Sequence, residues 1–152
     1  MDAKKLRSVD GIGMKILREL QINARSTFSE IGRKVGLSSP AVAERIYKME
    51  ETGIISGYHT TINPTVFGHN IMAFITLTTQ PNKYNEIYTF AEKQKEILEC
   101  HHVSGNESLI LKVVSGSISQ LDDMIDKLTK YGETKTSIVL SSPLQKKIMS
   151  SI

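Results

Sequence analysis

The residues best suited to binding chemistry lie between positions 25 and 48, where basic and small hydroxyl side chains surround an apolar repeat. The planar guanidinium of Arg45 can hydrogen-bond a guanine edge or a phosphate, and Arg25 and Lys48 suit phosphates. Small side chains at a helix start let the helix approach the major groove of DNA closely. The pattern predicts a DNA-binding surface made of Arg25, Ser38, Ser39, Ala41, Glu44, Arg45 and Lys48.

The other groups of reactive side chains lack the spacing of a catalytic or metal site. Cys100, His101 and His102 are consecutive, but neighbours in a strand point to opposite faces, so only Cys100 and His102 share a face. Two ligands are too few for a zinc site. No nucleophile lies in a pattern that would activate it. We therefore expect no catalytic residue, no metal and no cofactor, and a protein that is not an enzyme.

The composition limits the class of protein. The 152 residues are 39% hydrophobic and 23% charged, and a single cysteine excludes a disulfide framework. Residues 1–11 lack the apolar stretch of a signal peptide. The longest apolar run, Ile71–Ile75, is far shorter than the ~18 residues that a membrane span needs. We expect a soluble, cytoplasmic protein that does not associate with a membrane.

The net charge of +3 is unevenly distributed. Residues 1–60 contain ten basic and seven acidic side chains, including all five arginines, whereas residues 61–152 contain nine lysines and nine acids. Arginine is the residue type best suited to phosphates and guanine edges. The asymmetry therefore favours nucleic-acid binding by the N-terminal part.

Three helices are predicted in residues 1–60. An amphipathic repeat predicts the first, beginning near Gly13. A capping box at Thr27–Glu30 begins the second, and Gly36 ends it. Ser38 or Ser39 begins the third, and Gly53 follows it. Two helices joined by so short a turn are typical of a helix-turn-helix, although a plain helical hairpin with a solvated charged face has the same pattern.

The chain after residue 53 changes in character. Ile54–Ile62, with Gly57, predicts a hairpin or bulge, and residues 61–70 read as a linker. The remainder, residues 71–152, alternates strands and helices in the order β-α-β-β-α-β, which is the ferredoxin-like unit. Its predicted elements are Ile71–Thr79, Tyr84–Lys95, Ile97–Ser104, Ser108–Val114, a helix from Ser119 and Thr134–Ser141.

The first strand of this second domain is apolar on both faces. Ala73, Ile75 and Leu77 point to one side, and Met72 and Phe74 point to the other. A lone ferredoxin-like domain leaves one sheet face to water, so a two-faced apolar sheet needs a second partner. We expect dimerisation through the open sheet face.

The segment FSEIGRKVGLSSPAVAERIYKMEETGIISGYHTTINPTVFG, residues 28–68, resembles the N-terminal half of the Lrp/AsnC (leucine-responsive/asparagine-responsive) regulators. The ECHHVSG segment, Glu99–Gly105, and the late strand with Thr134 and Thr136 are similar to their C-terminal half. The resemblance covers about Val9 to Ser142. It implies an α+β fold, with a winged helix-turn-helix and a ferredoxin-like domain that dimerises and often assembles into tetramers or octamers.

The resemblance also implies a loop that binds an amino-acid effector. The family usually has Gly-Asp-x-Asp in this loop, where the present chain has Gly105-Asn106-Glu107-Ser108. An amino acid needs a carboxylate for its ammonium group, and N–H groups or hydroxyls for its own carboxylate. Glu107 is the replacement acid, and an ordinary turn without a ligand remains the alternative. The candidate effector-binding residues are Ser104, Gly105, Asn106, Glu107, Ser108, Thr134 and Thr136.

Two functions are compatible with these patterns. The first is a DNA-binding transcriptional regulator that acts as a dimer or an assembly of dimers, reads double-stranded operator DNA and responds to an amino acid or a related small effector. The alternative is an architectural protein that wraps or bends DNA with little sequence preference and has no effector.

Overall fold

The computed structural model describes residues 9–145 and 147–149. They form two compact units. The first runs up to Thr60 and includes the segment from Leu144, and the second is Thr61–Pro143. Within the described residues, no helix combines the length and apolar character needed to cross a membrane.

The C-terminal segment is grouped differently from the predicted second domain of residues 71–152. It lies with the first unit because the side-chain amide of Gln21 pairs with the backbone of Met149. Gln21 Nε2 donates to the Met149 carbonyl at 3.0 Å, and the Met149 N–H donates to Gln21 Oε1 at 2.8 Å. This pairing places the segment against the end of the first helix.

The first unit contains three helices: α1 (Gly11–Ile22), α2 (Phe28–Val35) and α3 (Ser39–Glu51). Helix α1 begins two residues before the predicted Gly13, because the Asp10 side chain accepts the Gly13 N–H at 2.7 Å. The predicted capping box is confirmed: Thr27 Oγ1 accepts the Glu30 N–H, and the Glu30 carboxylate accepts the Thr27 N–H. Gly36 ends α2 with a φ of 76°.

A small apolar core holds the three helices together. An added Cβ on Gly32 would lie 2.4 Å from the Leu37 carbonyl oxygen, so the absence of a side chain there allows the α2–α3 turn to pack tightly. The core side chains are all less than a tenth exposed: Ile16, Leu20, Ile31, Val42, Ile46 and Met49.

The predicted hairpin in Ile54–Ile62 would be the wing of a winged helix-turn-helix. The structure forms no such hairpin in the described chain between Glu51 and Pro64. The N–H groups of Ile54 and Ile55 both donate to the Met49 carbonyl, at 2.8 and 3.0 Å. Both isoleucine side chains pack against the helical core. The segment therefore turns back onto the end of α3 instead of pairing as a strand.

The second unit begins with a 3₁₀ turn at Pro64–Phe67 and forms the βαββαβ fold that the sequence predicts. The four strands form an antiparallel sheet in the order β2-β3-β1-β4. The elements are β1 (Ile71–Thr78), a 3₁₀ turn (Pro81–Lys83), α4 (Tyr84–Lys93), β2 (Ile97–His102), β3 (Leu109–Ser115), α5 (Ile118–Thr129) and β4 (Glu133–Ile138).

Helices α4 and α5 cover one face of the sheet. The inner side chains of β1 and β3, among them Ile75, Leu77 and Leu111, are fully buried with Ile87 and Leu128 of the helices. The first residue of α5 differs slightly from the prediction. Ser117, not Ser119, caps the helix, and its hydroxyl accepts the Gln120 N–H at 3.2 Å.

Candidate nucleic-acid interface and ligand loop

Helix α3 presents its exposed side chains on two flanks of the buried stripe that Val42, Ile46 and Met49 form. On the first flank, Nη1 of Arg45 lies 2.9 Å from both carboxylate oxygens of Asp10. The same carboxylate caps α1 through the Gly13 N–H. This N–H, and then the Arg45 guanidinium, hold the pKa of Asp10 below its usual value. The ion pair of Arg45 and Asp10 on the first flank therefore links α3 to the start of α1.

A groove of about 570 Å³ lies between these two helices on the first flank. The Nη1 group of Arg45 is thus paired within its own unit, whereas the N–H groups of Nε and Nη2 can still donate to a ligand. Along α3 the groove is lined by Ala41, Glu44, Arg45, Lys48, Met49 and Thr52.

The second flank of α3 lies beside the start of α2. The rings of Tyr47 and Phe28, the first residue of α2, meet edge to face with centroids 6.1 Å apart and an interplanar angle of 87°. Pro40, Glu44 and Tyr47 are spaced at i, i+4 and i+7, so they share one exposed helix face. This face of α3 is therefore exposed beside the start of α2.

The remaining predicted DNA-binding residues are exposed and lie at both ends of α2. Arg25 is in the turn before α2, where its N–H donates to Asn23 Oδ1 at 3.0 Å. Ser38 is the N-cap of α3 without a side-chain cap hydrogen bond, and Ser39 is its first residue. Both hydroxyls are therefore available to a ligand. Ser38 and Ser39 lie at the start of α3, whereas Ala41, Glu44, Arg45 and Lys48 line the groove.

Sequence reasoning missed Asp10 and Tyr47. The sequence indicates no role for Asp10, because its partner Arg45 is 35 residues away. Tyr47 follows the buried Ile46 directly, and a residue beside the centre of a buried stripe is turned outward in a helix. That position was the signal that could have identified it.

The predicted ligand loop connects β2 to β3. The Val103 N–H donates to the Ser108 carbonyl at 3.0 Å and closes the loop, and Gly105 has a φ of 131° that favours glycine. The Ser108 hydroxyl donates to the Thr79 carbonyl at 3.0 Å and accepts the Thr79 N–H at 3.1 Å. Ser108 thus anchors the loop to the end of β1. Ser104 and Asn106 are exposed, and Glu107 is half-buried.

Thr134 and Thr136 lie on β4, half-buried on the face that packs against the helices. Leu77 of β1 pairs with Thr134 on one side and with Leu109, the residue after the loop, on the other. Thr134 therefore lies two strand spacings, about 10 Å, from the end of the loop. Thr136 is about 7 Å farther along β4. The structure thus brings Thr134 closer to the loop than Thr136.

The Cys100–His102 segment lies on β2 with its side chains on alternate faces. On the outer face, Glu99 accepts from Lys112 Nζ at 2.9 Å and contacts His101 Nε2 at 3.1 Å, and these two partners, Lys112 first, lower the pKa of Glu99. On the inner face, burial raises the pKa of Cys100. The described residues contain no group of three or more His, Cys, Asp or Glu placed to hold a metal ion.

Comparison with known proteins identifies both units. Residues 9–50 match the AsnC-type helix-turn-helix domain, and residues 72–149 match the Lrp/AsnC ligand binding domain. The chain belongs to the Lrp/AsnC family. Members of this family are transcriptional regulators, and the helix-turn-helix unit is their DNA-binding part.

Individual Lrp/AsnC proteins are similar over nearly the whole chain. YezC, an uncharacterized transcriptional regulator of Bacillus subtilis, is 37% identical over 134 residues, which are 88% of this chain and 95% of YezC. The structure of B. subtilis LrpC superposes with a TM-score of 0.84 at 27% identity and covers 89% of this chain and 96% of LrpC. A third relative is the feast or famine regulatory protein of Mycobacterium tuberculosis, which was solved in complex with L-methionine. Its structure has a TM-score of 0.84 at 30% identity, and the match covers 93% of this chain and 100% of the relative.

Proposed function

We propose that this Lrp/AsnC chain regulates transcription as a homodimer that inserts α3 into the major groove of double-stranded operator DNA. The observation that carries the proposal is the exposed face of α3 with Pro40, Glu44 and Tyr47, which lies beside the first residue of α2. This is the face that a helix-turn-helix turns to DNA. The regulator would act in the cytoplasm, on the DNA there.

The DNA contacts divide by chemistry. Ser38 and Ser39 at the start of α3, with Glu44 one turn later, are placed to read base edges, because hydroxyls and carboxylates pair with base donors. Arg25 and Lys48 would contact phosphates, since their charged groups have no ion-pair partner among the described residues. Ala41 lets the helix approach closely. Arg45 would add a phosphate contact through Nε or Nη2 while Asp10 holds its Nη1.

Dimerisation is assigned to the outer face of the sheet. Phe74 is 40% exposed there, and it neighbours Lys112 on β3 and Ser137 on β4. A contact of two such faces would remove Met72, Phe74 and Ile110 from water. A two-fold dimer would place its two α3 helices on half-sites about one helical turn apart. Further contacts between dimers would give tetramers or octamers.

The effector is proposed to be an amino acid bound at the loop from Ser104 to Glu107. Glu107 would pair with the ammonium group, and the hydroxyls of Ser104 and Thr134 with the carboxylate. The amide of Asn106 and the backbone of Gly105 complete the site, with Thr136 beyond Thr134, while Ser108 holds the loop in place. Because a relative was solved with L-methionine, methionine is the first candidate. Binding would act by changing the arrangement of subunits, and therefore the distance between half-sites.

Selection from a random-sequence duplex pool tests the DNA-binding part. We expect the wild-type protein to enrich a two-part sequence with half-sites about 10 base pairs apart. Enrichment without a shared sequence would contradict operator binding and favour the architectural alternative.

Thermal unfolding against the twenty amino acids tests the effector part. A ligand that binds only the native state raises the melting temperature, and Glu107→Gln should abolish the shift by removing the ammonium partner. Glu96→Gln, which neutralises another acid before β2, should leave the shift intact. If none of the twenty raises the melting temperature, amino-acid sensing is wrong.

A further inference from the structure

Tyr47 is a large aromatic side chain that remains 56% exposed on the DNA-facing side of α3. Its ring is held against the edge of Phe28, so the phenol has a defined direction instead of moving freely in solvent. Among the described residues, no group accepts a hydrogen bond from its hydroxyl. Tyr58 differs, because its hydroxyl donates to Glu50 Oε1 at 2.7 Å. Tyr47 is therefore positioned by its ring, and within the described part of the chain its hydroxyl is left for an external partner.

The location of Tyr47 decides which part of DNA it can reach. The first residues of a recognition helix contact base edges, whereas the preceding helix crosses the sugar–phosphate backbone. Tyr47 lies two turns after Ser39, and its neighbour Phe28 is the first residue of α2. Its hydroxyl is thus beside the part of the unit that meets the backbone, away from the end that meets the bases.

We propose that the Tyr47 hydroxyl donates a hydrogen bond to a phosphate of the DNA backbone and so fixes how α3 sits in the groove. This inference rests on the proposed DNA-binding function and adds a residue to it. Tyrosine hydroxyls are among the common phosphate donors, and such contacts position the protein without reading sequence. A neutral donor displaces no counterion by its own charge, so its loss leaves the salt dependence of binding unchanged.

The test is Tyr47→Phe, which keeps the ring and its contact with Phe28 and removes only the hydroxyl. Affinity is measured on a duplex enriched by the wild-type protein and on an unrelated duplex, at several salt concentrations. We expect both affinities to fall about 10-fold or more, because a hydrogen bond to a charged phosphate is lost. The salt slope and the preference between duplexes should not change.

Tyr58→Phe is the matched control, since it removes a hydroxyl from the same unit whose partner is intramolecular. Its affinity for DNA should equal that of the wild type. Unchanged affinity in Tyr47→Phe, with an unchanged melting temperature, would overturn the proposal. A loss confined to the enriched duplex would also overturn it, because that outcome indicates base reading. If the wild-type protein shows no sequence preference, operator binding is disproved but the Tyr47 proposal is not. The affinity for the unrelated duplex still reports the phosphate contact in that case.

Discussion

The outer face of α3 and the outer face of the sheet are both exposed, but their chemistry differs. Pro40, Glu44 and Tyr47 lie on the exposed face of α3 beside α2, and two of them carry polar groups. On the sheet, the apolar side chains of Phe74 and Ile110 share the outer face with an ion pair of Glu99 and Lys112. Protein–DNA interfaces are more polar than protein–protein interfaces. The two faces are therefore suited to different partners, DNA and a second copy of the chain.

The comparison also shows why charge alone is a poor guide to the DNA contact. Arg45 is the arginine of α3, yet its Nη1 is paired with Asp10 of the same unit. The face beside α2 has no arginine on α3 and carries Tyr47 instead. The DNA contacts are therefore proposed from the position of each side chain relative to the neighbouring helices, and not from its charge.

The largest effect is expected from Phe74→Asp, which places a charge at the centre of the apolar sheet face. Burying an unpaired carboxylate is costly, so the variant should be monomeric in sedimentation velocity while the wild type is a dimer or larger. Loss of the second half-site should weaken operator binding by about 100-fold or more, since linked sites gain 10²–10⁴ in avidity.

Ile118→Asp is the control for this variant. Ile118 is 60% exposed at the first position of α5, where an acid is favourable to the helix dipole. It should leave both the assembly and the operator affinity unchanged. A dimeric Phe74→Asp protein would show that the sheet face is not the interface.

The next effect tests base reading on α3. Glu44→Ala removes a carboxylate that can accept from a cytosine amino group, so preference for the operator should fall about 10-fold. Binding to unrelated DNA should become tighter, because a negative charge facing phosphates is lost. Glu51→Ala removes an equal charge from the same helix face, two turns farther from the helix start that would read bases, and it should leave the preference unchanged. Equal behaviour of the two variants would remove Glu44 from the reading face.

A smaller effect is expected at the Asp10–Arg45 pair. Asp10→Ala and Arg45→Ala should each lower the melting temperature by a few degrees, because each breaks the link between α1 and α3. Residues that share an interaction are not additive, so the double variant should be less destabilised than the sum of the single variants. Additive losses would show that the pair does not stabilise the unit.

The smallest effect is the pH dependence of this pair. The folded unit lowers the pKa of Asp10, so the carboxylate stabilises the fold above its unfolded pKa, and this contribution is lost as the pH falls through the folded value. The melting temperatures of wild type and Asp10→Asn should differ at pH 7 and converge below about pH 4. A constant difference from pH 7 to pH 2.5 would contradict the assignment.

Local patterns in the sequence predicted most of the fold. The Thr27–Glu30 capping box, the turn at Gly36 and the buried stripe of α3 depend on neighbours within a few residues, and all are found in the structure. The order of strands and helices in the second unit followed from the apolar periodicity. Such features are determined by the residues within a few positions of them, so the sequence pattern is enough to predict them.

The features that sequence reasoning missed depend on distant contacts. The role of Arg45 depends on Asp10, which reaches it only when α1 packs beside α3. The segment Ile54–Ile62 has isoleucines that suit a strand. The N–H groups of Ile54 and Ile55 instead donate to the Met49 carbonyl, and their side chains pack against the helical core. The two hydrogen bonds of Ser108 to Thr79 join residues that are 29 positions apart, so the sequence does not indicate them. Tertiary contacts decided each of these.

The most direct test of operator reading by α3 is the affinity of the wild-type protein for an enriched duplex and for unrelated DNA across a range of salt concentrations. We predict parallel salt slopes with a constant preference of at least about 10³-fold for the enriched duplex. A steep slope with equal affinities for the two duplexes would contradict the account, because the protein would then bind phosphates without reading bases.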